Sequence, residues 1–160
     1  MKNILIFESD KNAQIALAMF FSGTDYSLTF FTNEIELILK AQNKNNDLII
    51  ADSNMVRLTA IDFIDAINSN PITNSIPIII ISHSSKKTEV IKLLQSGATD
   101  FIIKSEMTQS KLISRVDKAI GPKSNGRKFV NLSNNNFSKK ELIIRLHYKD
   151  GNHGFPSVRE

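Results

Sequence analysis

The chain has 160 residues, 41% hydrophobic and 22% charged, as in a single globular domain, and it has no cysteine, which excludes disulfide frameworks, thiolate metal sites and cysteine nucleophiles. The net charge of +4 is uneven, because residues 1–121 hold 12 Lys and Arg against 13 Asp and Glu, whereas residues 122–160 hold 8 against 3. The composition therefore predicts a nearly neutral domain followed by a basic tail.

The first predicted element is a buried strand at the apolar run of residues 4–7. Four residues are too few for a signal peptide or a membrane span, so we expect a cytoplasmic protein without membrane association. Residues 11–21 follow with apolar residues at helical spacing, which predicts an amphipathic helix. The residues expected on its buried face are Ile15, Ala16, Met19 and Phe20.

Strand and helix patterns continue to alternate as far as residue 121. The further predicted strands are 26–31, 47–51, 77–81 and 100–103, and the further predicted helices are about 32–42, 60–68, 88–96 and 108–120. Thr32 is the expected cap of the second helix, and Gly97 is expected to end the fourth. Five such units predict an α/β fold, a doubly wound parallel sheet with helices on both faces.

The basic tail has a different composition. Residues 122–136 are rich in Pro, Ser, Gly and Asn, which is typical of a linker. Ser138 followed by Glu141 matches a capping box and predicts one short helix, and residues 149–160 are expected to be disordered. We expect the tail to be a solvated segment, with contact to nucleic acid or to an acidic partner as the less favoured alternative, and we expect it to be too short for a DNA-binding output domain.

The candidate site lies where the predicted strands end, because ligands of open parallel sheets bind beyond the carboxyl ends of the strands. Polar residues end or follow these strands: Glu8, Ser9, Asp10, Thr32, Asp52, Ser82, His83 and Lys104. Carboxylates beside an ammonium group can hold a hard cation together with a phosphate. For any single residue the simpler interpretation, that strand ends are polar because they are exposed, is favoured; for the whole set it is weaker.

Residues 1–121 resemble the receiver domain of two-component response regulators. Residues 47–52 resemble the strand that ends in a phosphoacceptor aspartate, and residues 76–82 resemble the strand that ends in a switch hydroxyl. Residues 97–104 resemble the run that holds an aromatic switch residue and a lysine. The resemblance implies a flavodoxin-like fold with strand order 2-1-3-4-5, a receiver domain over residues 1–121 and a short extension over residues 122–160.

The resemblance also implies a role for each matching residue. Asp52 would take a phosphoryl group from a phosphohistidine, and Lys104 would pair with the phosphoryl oxygens. Mg²⁺ would be held by Glu8, Asp52 and the backbone carbonyl of Asn54. The implied protein is a signalling domain and not an enzyme, since its only chemistry is its own phosphorylation and dephosphorylation.

The implied output is a change of surface. Ser82 would turn to bond the phosphoryl group, and Phe101 would move inward, which alters the face formed by the fourth helix, the fifth strand and the fifth helix. The implied partners are a sensor histidine kinase or phosphotransfer protein upstream and another protein downstream. Receivers often pair through that face, which allows a homodimer.

Three departures from the family pattern lie around this site. Ser9 stands where the family has a second acid, so Mg²⁺ affinity should be lower, and whether Ser9 or Asp10 still contributes a ligand is left open. Residues 55–58 lack the usual Pro-Gly turn, and Ser105 replaces a proline. The alternative hypothesis is therefore a pseudo-receiver, an interaction module independent of phosphate. A flavodoxin-like enzyme is a third class, but no Gly-rich phosphate loop follows the first strand to support it.

Overall fold

A computed structural model describes residues 1–43 and 45–121 of the chain. In chain order its elements are β1 (Lys2–Phe7), α1 (Lys11–Phe20), β2 (Tyr26–Phe31), α2 (Glu34–Ala41), β3 (Leu48–Asp52), α3 (Ala60–Ser69), β4 (Ile78–Ser82), α4 (Lys87–Ser96), β5 (Asp100–Ile103), a 3-10 turn (Lys104–Glu106) and α5 (Gln109–Ile120). None of the helices in these two ranges is long and apolar enough to cross a membrane. The predicted linker and tail helix lie outside the described residues.

The strands form one parallel sheet in the order β2-β1-β3-β4-β5. The predicted flavodoxin-like, doubly wound fold is thus confirmed. Every residue of β3 and of β4 is buried, because both strands lie inside the sheet and helices cover both of its faces. Continuous apolar runs suit this position, since neither face of such a strand meets water.

Two apolar cores lie on opposite faces of the sheet, because successive side chains of a strand point to opposite faces. In β1, Leu5 and Phe7 pack with the buried residues of α2, α3 and α4, whereas Ile4 and Ile6 pack with those of α1 and α5. Full burial of one such side chain stabilises the fold by about 1.5–3 kcal/mol. The same alternation determines which of the polar residues at the carboxyl ends of the strands lie on the same face of the sheet.

The predicted buried face of α1 is wrong for three of its four residues, because only Phe20 packs against the core. Ile15 and Met19 are 49% and 67% exposed, whereas Gln14 and Leu17 are buried. Apolar residues run almost without a break through this helix, so their spacing does not select one face. Packing selects it instead, because Leu17 lies in the core beneath α1 and α5 and the Gln14 side-chain amide donates to the Glu8 carbonyl at 2.7 Å.

Several predicted boundaries move by one residue. Asn33, and not Thr32, caps α2, because its side chain accepts the first free backbone N–H groups of the helix. β4 begins at Ile78, one residue after a proline that has no N–H to give to the sheet. Gly97 ends α4 as predicted, in the left-handed conformation with φ 117° that favours glycine.

Candidate functional site

The candidate site is a cluster of charged side chains at the carboxyl edge of the sheet. Phe7 pairs with Ala51 across β1 and β3, so the next residues, Glu8 and Asp52, lie level with each other. By the alternation along each strand, both leave the sheet on the face that α1 and α5 cover. Lys104 reaches them from the end of β5. The structure therefore brings together three of the residues predicted for the site.

The Lys104 ammonium group holds the two carboxylates. Its Nζ lies 2.5 Å from Asp52 Oδ2 and 2.8 Å from Glu8 Oε2. Glu8 and Asp52 are only 2% and 6% exposed, and Lys104 is largely covered as well. Buried charges need partners of this kind, because an isolated carboxylate in an apolar interior is strongly destabilised. Because one ammonium group faces two carboxylates, negative charge is in excess and the cluster can attract a further cation.

Burial and pairing act in opposite directions on these groups. Burial raises the pKa of Glu8, and the hydrogen bonds from Lys104 and from the Asp10 amide only partly offset it. Burial alone would lower the pKa of Lys104, but its hydrogen bonds to Asp52 and Glu8 outweigh burial and raise the pKa. Lys104 therefore stays charged at neutral pH.

The donor set fits a hard cation. Asp52 Oδ1 accepts the Asn54 N–H at 2.9 Å, which brings the Asn54 backbone beside the Asp52 carboxylate. Mg²⁺ is commonly bound by one or two carboxylates and completed by water and phosphate oxygens. The part of the chain that the structure describes has no group of three or more His, Cys, Asp or Glu that could hold a metal ion, so the site offers two carboxylates and no third.

The sequence left open whether Asp10 and Ser9 act as metal ligands. In the structure Asp10 caps a helix and Ser9 is exposed. Asp10 caps α1, because its Oδ1 accepts the Ala13 N–H at 3.0 Å. The backbone N–H groups of Ala13 and Asn12 lower the pKa of Asp10. Its own amide donates to Glu8 Oε1 at 2.9 Å and orients the second oxygen of Glu8 toward Lys104. Ser9 is exposed beside this turn.

Ser82 and Phe101 lie on the other side of the sheet from the charged cluster. Ile81 packs in the core beneath α1 and α5, so Ser82, the next residue, leaves β4 on the opposite face. Its Oγ accepts the Ser53 hydroxyl at 2.7 Å and the Ser84 N–H at 3.1 Å. Phe101 is half-buried against the core beneath α2, α3 and α4. The sequence analysis missed Ser53, for which its position directly after Asp52 was the only signal.

Glu34 is a second residue that the sequence analysis missed. It is fully buried in the first turn of α2, and its Oε1 accepts the N–H groups of Arg57 and Leu58, the latter at 3.0 Å. Burial alone would raise the pKa of Glu34, but N–H groups of its own residue, Arg57 and Leu58 outweigh burial and lower the pKa. Glu34 thus fixes the loop that follows Asp52. No sequence signal marked it, because glutamate in a first helical turn is ordinary.

Glu34→Gln is expected to lower the free energy of unfolding by about 1.5–3 kcal/mol at neutral pH, because the backbone N–H groups of the loop lose a charged acceptor. The stabilisation by Glu34 is present above its ordinary pKa of 4.5 and is lost as the pH falls through the lower folded-state value. Urea denaturation at about pH 3–7 should therefore show a shallower acid-side loss in the variant. Glu36→Gln, an exposed change on the same helix, is the control; equal curves for the two variants would contradict the assignment.

The chain matches the family model described as response regulator receiver domain over residues 4–117. It is 27% identical over 145 residues to hybrid signal transduction histidine kinase D of Dictyostelium discoideum, covering 89% of this chain and 9% of that protein. It is 29% identical over 79 residues to chemotaxis protein CheY1 of Helicobacter pylori, covering 49% of this chain and 63% of that protein. The chain thus spans only a small part of the first relative and somewhat less than two thirds of the second.

Solved structures share the fold at low sequence identity. The receiver domain of a signal transduction histidine kinase from Syntrophus aciditrophicus superposes with a TM-score of 0.70 at 23% identity, covering 82% of this chain and 99% of that one. The receiver domain of sensor histidine kinase PA1611 from Pseudomonas aeruginosa PAO1 gives 0.68 at 20% identity, covering 76% and 98%. The latter was crystallised with a magnesium ion coordinated in its active site cleft.

Proposed function

The chain belongs to the response regulator receiver domain family, and from this membership we propose that it accepts a phosphoryl group on Asp52 and signals through protein contacts. Receiver domains are signalling modules of two-component systems and not classical enzymes. The observation that carries the proposal is the contact of a buried aspartate at the end of β3 with the Lys104 ammonium group at 2.5 Å. The proposed donor is a sensor histidine kinase or a phosphotransfer protein.

In the proposed reaction an Asp52 carboxylate oxygen attacks the phosphorus of a phosphohistidine. The P–O bond forms as the P–N bond breaks, the electron pair of that bond goes to the imidazole, and the imidazole takes a proton. The product is an acyl phosphate on Asp52. The Asn54 N–H holds one carboxylate oxygen in place, so the geometry of the nucleophile is set before the donor arrives.

Lys104 and Glu8 complete the proposed site. The Lys104 ammonium group, already in contact with Asp52 Oδ2, would remain within reach of the new phosphoryl oxygens and offset their charge. Mg²⁺, held by Glu8, Asp52 and the carbonyl of Asn54, would supply further positive charge to the transferred group. The magnesium in the cleft of the PA1611 receiver supports this choice of ion.

In the proposed output, phosphorylation changes the positions of Ser82 and Phe101. Ser82 would cross the carboxyl edge of the sheet to bond the phosphoryl group, and half-buried Phe101 would move into the space it leaves. Because Phe101 lies in β5, the surface of α4, β5 and α5 would change, and a downstream protein or a second copy of the chain would bind there. The proposed domain is residues 1–121, with residues 122–160 as an extension.

The pseudo-receiver remains the second candidate because of the groups that surround the two buried carboxylates. Lys104 already neutralises much of the charge of Glu8 and Asp52, Asp10 is used as a helix cap, and Ser9 brings no carboxylate. Because Lys104 pairs with both carboxylates, the site can fold without a metal ion. In this alternative the same surfaces would bind partners without phosphorylation.

Intact-mass spectrometry after incubation with acetyl phosphate and Mg²⁺ tests the proposal. We expect the mass of one phosphoryl group to be gained by the wild type and not by Asp52→Asn, since the amide is a poor nucleophile. Omission of Mg²⁺ should reduce the gain strongly. If the wild type gains nothing even at high Mg²⁺, the phosphoacceptor function is wrong and the pseudo-receiver is supported.

A further inference from the structure

We propose that Ser53 is a positioning residue that holds Ser82 in the resting state, and that the hydrogen bond between the two hydroxyls must break before Ser82 can reach a phosphoryl group. The inference rests on the proposed function of Asp52. It assigns to Ser53 a role in setting how readily the domain switches. The role follows from where the sheet places the two serines and from the hydrogen-bonding capacity of Ser82.

The sheet places the serines on the face opposite Asp52. Asp52 pairs with Ile81 across β3 and β4, so these two side chains share a face. The pairing continues one residue further, because the Ser53 N–H donates to the Ile81 carbonyl at 2.9 Å. Ser53 and Ser82 are therefore level with each other and point to the side of α2, α3 and α4. The resting Ser82 hydroxyl is directed away from the phosphoacceptor.

Both lone pairs of the Ser82 hydroxyl oxygen are used in this position, which holds the side chain in its resting rotamer. A hydroxyl oxygen accepts two hydrogen bonds, and Ser82 accepts one from the Ser53 hydroxyl at 2.7 Å and one from the Ser84 N–H at 3.1 Å. Ser82 is 4% exposed, so water does not readily replace a lost partner. Of the two donors only the Ser53 hydroxyl belongs to a side chain, which makes it the one that a substitution can remove.

Loss of the hydrogen bond from Ser53 would shift the equilibrium between the resting and the switched position of Ser82. An interaction present in the resting state and absent in the switched state favours the resting state by its net free energy. A hydrogen bond of ordinary net strength corresponds to about a fivefold change in such an equilibrium. Ser53→Ala should therefore favour the switched position of Ser82, and a phosphoryl mimic on Asp52 should bind more tightly.

The first measurement needs no ligand. Three-bond couplings that report the χ1 angle of Ser82, measured by NMR on the full chain, are expected to show one dominant rotamer in the wild type and a larger share of a second rotamer in Ser53→Ala. Ser85→Ala, an exposed serine in the following loop, is the matched control and should leave the couplings unchanged. Identical couplings in the wild type and Ser53→Ala would overturn the proposal.

The second measurement is a double-mutant cycle with beryllofluoride and Mg²⁺, a phosphoryl mimic for aspartate, followed by NMR titration. Ser53→Ala is expected to lower the apparent Kd about fivefold in the wild-type background and to leave it unchanged in the Ser82→Ala background. Equal effects in both backgrounds, or a weaker affinity, would overturn the role of Ser53 alone. If the wild type does not bind beryllofluoride at all, the proposed function fails, and the role of Ser53 fails with it.

Discussion

Replacement of Lys104 by methionine is expected to lower the free energy of unfolding by roughly 3–5 kcal/mol and to abolish the proposed phosphoryl transfer to Asp52. Lys104 contacts Glu8 and Asp52 at 2.8 and 2.5 Å, and both carboxylates are buried. Without the ammonium group, two desolvated negative charges would face each other without a partner. The acceptor would also lose the cation that offsets the charge of the incoming phosphoryl group.

The pH dependence of this variant has a definite sign. The pKa of Glu8 is already raised by burial, and loss of Lys104 should raise it further. A carboxyl group whose folded-state pKa is raised destabilises the fold above that pKa, and the fold recovers stability as the pH falls through it. The deficit of Lys104→Met relative to the wild type should therefore shrink between neutral and mildly acidic pH.

Urea denaturation of Lys104→Met at about pH 7 and pH 5 measures the loss of stability and its pH dependence, and intact-mass spectrometry after incubation with acetyl phosphate and Mg²⁺ measures the loss of phosphoryl transfer. Lys111→Met, which removes an exposed ammonium group from α5, is the matched control and should stay within about 0.5 kcal/mol of the wild type. Adding Glu8→Gln to Lys104→Met should restore part of the stability, because one of the two unpaired charges is removed. Equal unfolding midpoints for the two lysine variants would show that Lys104 does not balance the buried carboxylates.

Ser9→Asp is expected to raise the affinity for Mg²⁺ by at least about tenfold, or about 1.4 kcal/mol. Position 9 is exposed at the end of β1 and adjoins Glu8, so a carboxylate there adds an oxygen ligand without disturbing the core. The added charge should also lower stability in the absence of Mg²⁺, because it repels Glu8 and Asp52. Saturating Mg²⁺ should then restore the loss by mass action.

Calorimetric titration with Mg²⁺, together with thermal unfolding with and without the ion, checks this prediction. Ser105→Asp is the control, since it adds the same charge at an exposed position of the turn after β5. If both variants gain the same affinity, the gain comes from net charge and not from a ligand at position 9. If neither variant gains affinity, a carboxylate at position 9 does not act as a ligand for Mg²⁺.

The sequence alone determined the order of the elements and the edge of the sheet that carries the site. Runs such as residues 48–52 and 78–82 are apolar throughout except at their last residue, which is how a buried parallel strand ends at a ligand-binding edge. Parallel strands bring these last residues to one edge whatever the details of packing. For that reason Asp52, Glu8 and Lys104 could be predicted to meet from the strand pattern and the family resemblance.

Only the tertiary structure decided which partner each polar group takes. The rotation of α1, which buries Gln14 and exposes Met19, depends on the packing of Leu17 against the sheet and α5 and on the bond from Gln14 to the Glu8 carbonyl. The burial of Glu34 depends on a loop more than 20 residues further along the chain. The bond from Ser53 to Ser82 depends on the register of two strands joined through α3. The spacing of residues along the chain does not predict these arrangements. Each of them depends on how the strands and helices pack against one another in the folded protein.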